Sequence, residues 1–421
     1  VHGERPTLGS RSDRNRLYSA GIQIKAHAYF HARASSSYSW GELNLDLDKL
    51  NPQCNGKNVA THTPNHTTIS RDGLPLCATR RVEPETLPPE ELDAYLEAGW
   101  YRIGQNISFC EFVAMDQGTF GVVWTRVPLE SYRPRKSLRR IRNKVERDFT
   151  VRIHRQVHDM QHELLYQRYL STTEGSRAPT LSNLAGGFGA NNIFDTWEIS
   201  VWRGDELVAF SWFDIGEESV ESISGVYDPS VASYSMGFYT MLAELDFAKE
   251  RGLKYYYAGY VLCGDPCMDY KLRTGHIEVL DRIEGCWRPL DDDEQEDLAR
   301  LDPLERTRIA LEEVRQALDL PEAMLYHNPH FSLCAAAPNL TSCLSYHLVL
   351  FCGPSRSGIV HVVAWDSVAH QYELLRCVKA SLTSPETGEV FLNNLLVTSK
   401  SLGRWDSIED MARVNQIIFY G

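Results

Sequence analysis

The sequence predicts a mixed α/β chain of several domains, and three observations lead there. Between Trp197 and Val261 the segments run strand, strand, strand, helix, strand. After Pro321 a series of short β-prone stretches closes the chain. With 421 residues, the chain is too long for one ordinary core of ~100–200 residues, so two to four domains are expected.

The elements follow in order. Residues 1–75 are rich in Ser, Asn, His and Arg, carry one β-prone stretch at 22–32, and suggest no role. Pro88 opens a helix with Glu90, Glu91 and Asp93 near its start and Gly99 at its stop. A strand is expected over 121–127. Val157, Met160, Leu164 and Leu165 share one face of a helix running to about Leu170. Gly186, Gly187 and Gly189 read as a flexible loop. Strands at 197–202 and 207–213 flank Gly204-Asp205, a hairpin turn, and a third strand reaches Tyr227 before Asp228-Pro229 breaks it. A helix over 234–250 is closed by Gly252, and Tyr255 to Val261 is strongly β-prone. Leu298 to Leu318 is a charged amphipathic helix interrupted at Pro303, and strands are expected at 346–351, 359–365, 372–378 and 390–397. The resulting division is 1–75, 76–155, 156–290, a helical connector at 291–320, and a β-rich module at 321–421.

Composition narrows the function classes. Hydrophobic residues at 43% and charged residues at 24% describe a folded protein. No apolar run approaches the ~18–20 residues of a membrane span, and the first 16 residues are polar without a secretory segment. The expectation is a cytoplasmic protein with no membrane partner. Ten scattered cysteines read as reduced thiols, not a disulfide framework. A formal charge of -13 argues against a general nucleic-acid coat, so any RNA contact is local. One such locality is the run Arg133, Arg135, Lys136, Arg139, Arg140, Arg142, Lys144 and Arg147, flanked by Tyr132 and Phe149. It reads either as a phosphate-binding surface or as a solvated helix face.

Metal and nucleotide motifs are weak. Cys263 and Cys267 lack a second Cys/His pair nearby, and Asn328-Pro329 keeps His327 and His330 off one regular helical face. The glycines at 186, 187 and 189 do not form a dinucleotide-binding loop, and no Walker, kinase or nucleophile-elbow motif occurs.

The most informative run is Tyr255-Tyr-Tyr-Ala-Gly-Tyr-Val-Leu-Cys-Gly-Asp-Pro-Cys-Met-Asp-Tyr-Lys271. It resembles the Tyr-x-Gly-Tyr … Met-x-Tyr-Lys signature of the aminoacyl-tRNA-protein transferases, the arginyl enzymes and the bacterial aspartate/glutamate leucyltransferases. Tyr227-Asp228-Pro229 with Ser235-Met236-Gly237, the Asp214 that ends a strand, Gly99-Trp100-Tyr101-Arg102-Ile103-Gly104, and Tyr132-Arg-Pro-Arg-Lys-Ser137 with Arg139-Arg140 are similar to further elements of that family. Cys77 begins a stretch similar to its first cysteine block. The matches keep their order from Cys77 to Pro289, about half the chain. Departures accompany them: only Cys110 remains of the next cysteine cluster, Cys267 stands where a Lys is usual, and Thr274-Gly275-His276-Ile277-Glu278 keeps only the Glu of the following motif. Retention of Glu278 and Leu280 leans toward the leucyl type.

The resemblance implies an acetyltransferase (GNAT)-like domain, or a duplicated pair of them, and transfer of an arginyl or leucyl group from aminoacyl-tRNA to the amine of an acceptor with an acidic N-terminus. The ester is already activated and the α-amine has a pKa of about 7.7–8.0, so neither metal nor other cofactor is required. The enzyme must orient two substrates, donate a hydrogen bond to the oxyanion and accept one proton. Lys271, Tyr270, Asp228 and Asp214 are the catalytic candidates. Tyr257, Tyr260, Asp269, Arg273 and Glu278 are the substrate-binding ones, with Lys271 or Arg273 able to hold an acidic side chain. Arg133, Arg135, Lys136, Arg139, Arg140 and Arg142 are the tRNA-binding candidates. The alternatives are a GNAT-fold acyltransferase acting on a small molecule or cell-wall peptide, and a non-catalytic relative.

Overall fold

The computed structural model describes residues 78–115, 118–173, 178–186, 192–291, 293–333, 342–352, 358–383, 390–411 and 413. The stretch at 22–32, Cys77, Gly187 and Gly189 lie outside the described residues.

A small antiparallel sheet comes first. It joins β1 (Ala78–Val82), β2 (Trp100–Ile103) and β3 (Asn106–Cys110) in the order β1-β3-β2. The helix Pro89–Glu97 links β1 to β2. Proline suits its first turn because that amide needs no helical partner, and Glu90 and Glu91 favour the positive end of the helix dipole. Leu92 and Leu96 are its buried side chains.

The large sheet carries the core. Its strands are β4 (Phe112–Met115), β5 (Gly118–Pro128), β6 (Thr150–Arg155), β7 (Thr196–Arg203), β8 (Glu206–Ile215), β9 (Ser219–Tyr227), β10 (Tyr255–Leu262), β11 (Glu278–Asp281) and β12 (Cys286–Pro289). They follow the order β12-β11-β5-β10-β9-β8-β7-β6, with β4 paired to β5. The helix Met236–Glu250 covers one face, packing Leu242 and Leu245 against Phe213, Val220 and Tyr256. The helix Met160–Leu170 covers the other, setting Leu165, Tyr166 and Tyr169 against Phe210, Trp212 and Val226. Cover on both faces explains why β8 is buried at every position after Glu206 instead of alternating.

The expected order of strand, strand, strand, helix, strand is therefore present as β7, β8, β9, the helix Met236–Glu250 and β10. A mixed α/β unit with that order and an additional β-rich region both occur. The latter is a five-stranded sheet, β13 (Leu325–His327), β14 (Leu348–Phe351), β15 (Ile359–Asp366), β16 (Gln371–Thr383) and β17 (Val390–Trp405), ordered consecutively and antiparallel throughout. The charged segment before it is two helices, Glu294–Leu301 and Pro303–Ala317, broken at Asp302-Pro303 as the proline requires.

Three local readings change. The apolar face of the helix Met160–Leu170 is not the one expected: Met160 is 71% and Leu164 52% exposed, and Val157 before the helix is exposed as well. Asp159 caps the helix by accepting from the amides of Gln161 and His162, and from that start positions 162, 165, 166 and 169 turn inward at helical spacing. The loop read at Gly186 is instead the end of a short helix, Leu181–Ala185. Strand β6 is not expected from the sequence: it is a largely exposed edge strand whose apolar alternation is limited to Val151 and Ile153.

Candidate active site

Strand β10 opens the site. It pairs in parallel with β9 over only three positions, Tyr255 to Tyr257 against Ser219 to Glu221. Beyond them β9 stays with β8 while β10 stays with β5, so the two strands part company. The departure coincides with a bulge in the β10–β5 register between Tyr257 and Gly259. Gly259 has φ +86, a conformation that a side chain strains, and a Cβ there would sit 3.2 Å from the Lys271 ammonium. The bulge also shifts the alternation: Tyr256 and Ala258 face the helix-covered core before it, Val261 and Cys263 after it.

Lys271 lies in the 3-10 segment Pro266–Thr274, whose start is capped by Asp265 accepting from the Cys267 amide. Its side chain turns inward, donates to the Tyr260 carbonyl at 2.7 Å and lies 5.1 Å from the centre of the Tyr260 ring. Burial pushes its ammonium down to about 8. Tyr260 in turn packs edge-on to Trp124 and Tyr101, an aromatic wall on the side of β10 away from the helix. Leu272 and Thr274 are buried with it, while other side chains of the segment face outward. Tyr270 and Arg273 are exposed, Arg273 with its guanidinium 4.6 Å from the centre of the Phe238 ring, and burial together with Asp265 raises the Asp269 carboxyl.

Tyr257 and Glu278 meet elsewhere, around an arginine the sequence had not singled out. Arg126 donates to Glu278 at 2.8 Å, pairs with Glu97 and reaches the Tyr257 hydroxyl at 3.3 Å, between the rings of Tyr255 and Trp287. Glu278 is thus already engaged. Burial also raises the Tyr257 hydroxyl.

Asp214 does not reach solvent. It is fully enclosed, bonded to the Arg102 guanidinium at 2.9 and 3.0 Å and to the Thr196 hydroxyl at 2.6 Å. A carboxylate so committed anchors β2 to β7 and β8 and cannot take a substrate proton without breaking a buried ion pair, which corrects the catalytic expectation. Asp228 is engaged as well, in a less buried setting. It caps the 3-10 turn Pro229–Tyr234 through the Ser230 amide and accepts from Arg168 at 2.7 Å. Burial pushes its carboxyl up, but the bonds from Ser230 and Arg168 outweigh this and leave it below its ordinary value.

Beside Asp214 stands Glu221, which accepts from the Arg102 amide and has its second oxygen buried without a partner. Burial and the neighbouring Asp214 push its carboxyl up to about 8, whereas a free Glu side chain ionises near 4.5. Stability from this group is whole below about 4.5 and is lost as pH rises toward 8. Glu221→Gln, whose amide can face Asp214, is expected to raise the melting temperature at pH 8 and to leave it near the parent's at pH 5. Identical pH–stability curves for variant and parent would remove Glu221 from this role.

The basic run divides in two. Arg142 pairs with Asp246 and Arg147 with Asp148, while Arg133, Arg135, Lys136, Arg139 and Arg140 are exposed and make no carboxylate pair among the described residues. These five gather before and on the first turns of the helix Lys136–Asp148, where the free amides add to the positive field. This surface adjoins the Lys271 segment, since a Cβ at Gly275 would lie 3.3 Å from the Arg135 guanidinium. Cys263 is buried and Cys267 exposed, and among the described residues no group of three or more His, Cys, Asp or Glu is placed to hold a metal ion.

Parts of the chain are similar to known proteins. Residues 154–281 match the family described as arginine-tRNA-protein transferase, C terminus. An aspartate/glutamate leucyltransferase of Leptospira interrogans is 25% identical over 221 residues, 50% of this chain and 82% of that protein. Another, of Hahella chejuensis, is 28% identical over 225 residues, 52% of this chain and 93% of that protein. A solved structure of L-PGS from Bacillus licheniformis is 16% identical and covers 33% of this chain and 47% of that one at a TM-score of 0.26. The matched region holds the parted strands and the Lys271 segment, and over it the chain is similar to the aminoacyl-tRNA-protein transferases.

Proposed function

We propose that this chain moves an arginyl or leucyl group from its tRNA ester to the N-terminal amine of a protein or peptide beginning with Asp or Glu. The observation that carries the reading is the contact between the Lys271 segment and the exposed basic turn, made at Gly275 and Arg135. Cations suited to tRNA phosphates then stand beside an enclosed ammonium suited to an ester carbonyl.

The chemistry is simple to balance. The acceptor nitrogen attacks the ester carbonyl carbon; the C–N bond forms, the C–O bond to the ribose breaks, and the departing ribose oxygen takes the proton shed by the amine. Lys271 donates to the developing oxyanion, a role that suits a buried, partner-poor ammonium. Arg273, exposed on the same segment, takes the acceptor's acidic side chain, and Asp269 accepts a hydrogen bond from its neutral α-amine. Tyr270 supplies an outward-facing hydroxyl and Tyr260 the carbonyl that steers Lys271. No helix among the described residues is long and apolar enough to cross a membrane, and we place the reaction in the cytoplasm, where charged tRNA is found.

Donor class tests the reading against an acyltransferase of the same fold. Radiolabelled aminoacyl-tRNA offered with a peptide should label it only when its N-terminus is free, not acetylated. Labelling from acetyl-coenzyme A in place of aminoacyl-tRNA would reverse the assignment. A second expectation concerns the basic turn: Arg139→Glu with Arg140→Glu should weaken tRNA binding and flatten its salt dependence by roughly one unit of slope for each phosphate the variant no longer neutralises. Parallel slopes for variant and parent would strip that surface of its role. Arg142 takes no part in this surface, because its partner Asp246 ties it to the fold.

A further inference from the structure

Thr125 is a polar residue in an apolar stripe. It stands on β5 between Val123 and Val127, and the two-residue repeat of a strand turns all three to the face that the helix Met236–Glu250 covers, away from Val122 and Trp124. The side chain is wholly buried. Valine has the same shape and loses nothing by burial, whereas a buried hydroxyl costs free energy unless it is bonded. The Thr125 hydroxyl donates to the Gly259 carbonyl at 2.9 Å.

That carbonyl sits at the bulge of β10, where Gly259 lies opposite Thr125 in the register. A φ of +86 is one that glycine enters without strain and leaves as freely, so the bulge has little stiffness of its own. The next carbonyl, of Tyr260, receives the Lys271 ammonium at 2.7 Å. Tyr260 lies past Tyr257, the last residue of β10 paired with β9, so strand pairing holds it from β5 alone. A Cβ at Gly259 would be 3.2 Å from the ammonium, which puts the bulge and the ammonium in one small volume.

We propose that Thr125 is a positioning residue for Lys271: its hydroxyl pins the Gly259 carbonyl at the bulge and thereby sets the direction in which the Tyr260 carbonyl holds the ammonium. The inference rests on the reading that Lys271 serves aminoacyl transfer. Without the pin the glycine turns and the Tyr260 acceptor is misaligned. A buried ammonium that loses its acceptor favours the neutral amine, so its titration moves further down from about 8. Cys267 of the same segment and the Tyr260 ring face the ammonium, and every variant below leaves both in place.

Two measurements separate this role from plain packing. The first uses no tRNA: the Lys271 Cε resonance of the full chain carrying isotope-labelled lysine, identified by its absence in Lys271→Met, is followed against pH. Its midpoint is expected to fall by about one unit in Thr125→Val, roughly a tenfold loss of proton affinity, and to stay at the parent's in Thr125→Ser, which keeps the hydroxyl. The second is transfer from aminoacyl-tRNA to an acceptor peptide. There kcat should drop about tenfold in Thr125→Val with KM unchanged, and Thr125→Ser should restore it. If the valine variant does not fold, Thr125→Cys, whose thiol donates weakly, should shift the same midpoint down by less. An unmoved midpoint in the folded valine variant, or in Thr125→Cys where valine does not fold, would overturn the proposal, as would an equal shift in Thr125→Ser or a kcat equal to the parent's. Absence of transfer by the parent, with the midpoint moving as expected, would sink the transferase reading and leave the positioning of Lys271 standing.

Discussion

Asp214→Ala is expected to cost about 3–5 kcal/mol of folding stability at pH 7, a large share of the ~5–15 kcal/mol that holds a typical domain folded. The carboxylate is the counter-charge of Arg102, whose side chain is enclosed to nearly the same degree. Truncation leaves a guanidinium buried without its partner and a Thr196 hydroxyl without an acceptor. Glu221 moderates the loss in a testable way. With Asp214 gone its carboxyl ionises more readily and restores part of the missing charge, so Asp214→Asn should lose less than the same change made together with Glu221→Gln. Denaturant midpoints at constant slope measure both. A cost below about 1 kcal/mol for Asp214→Ala would mean that Arg102 finds another counter-charge and that the pair does not anchor β2.

Lys271→Met should lower kcat by about ten- to a hundredfold for every acceptor, with little change in KM for the peptide. Methionine keeps most of the side-chain volume against Tyr260 and removes only the donor. The role proposed for the ammonium is made in the transition state, so its loss falls on kcat. The pH profile adds a separate reading. An ammonium pushed down to about 8 is discharged as the solution becomes more alkaline, so the parent's kcat should fall above that pH, and a Lys271→Arg variant that folds should lose this descending limb. A rise in KM confined to Asp and Glu acceptors would instead assign Lys271 to the acceptor's carboxylate and free Arg273 from that duty.

Much of the frame was legible in residue order. Gly204-Asp205, Asp228-Pro229 and Gly252 punctuate segments whose periods differ, and the strands and helix between them form where those signals stand. What residue order could not convey was partnership. Asp214 and Asp228 carry the same carboxylate that a proton acceptor needs, and only the fold reveals that Arg102 and Arg168 hold them. Arg126 lies in a strand whose signal is its apolar residues, and the aromatic rings and carboxylates that enclose it come from separate stretches of chain. The inward face of the helix Met160–Leu170 was hidden for a related reason: a histidine, His162, fills an interior position through bonds to Asp159 and Glu198, while Met160 and Leu164 face out. A signal for Arg102 did exist, in the Gly99-Trp100-Tyr101-Arg102-Ile103-Gly104 element, but its target was not in the sequence.

Label transfer tests the aminoacyltransferase assignment most directly. The purified chain would be incubated with radiolabelled arginyl-tRNA or leucyl-tRNA and peptides identical except for a first residue of Asp, Glu or Ala. Label from one of the two tRNAs is expected on the Asp and Glu peptides, with markedly less on the Ala peptide. Label on none of them from either tRNA, with the tRNA bound and the protein folded, would contradict the assignment.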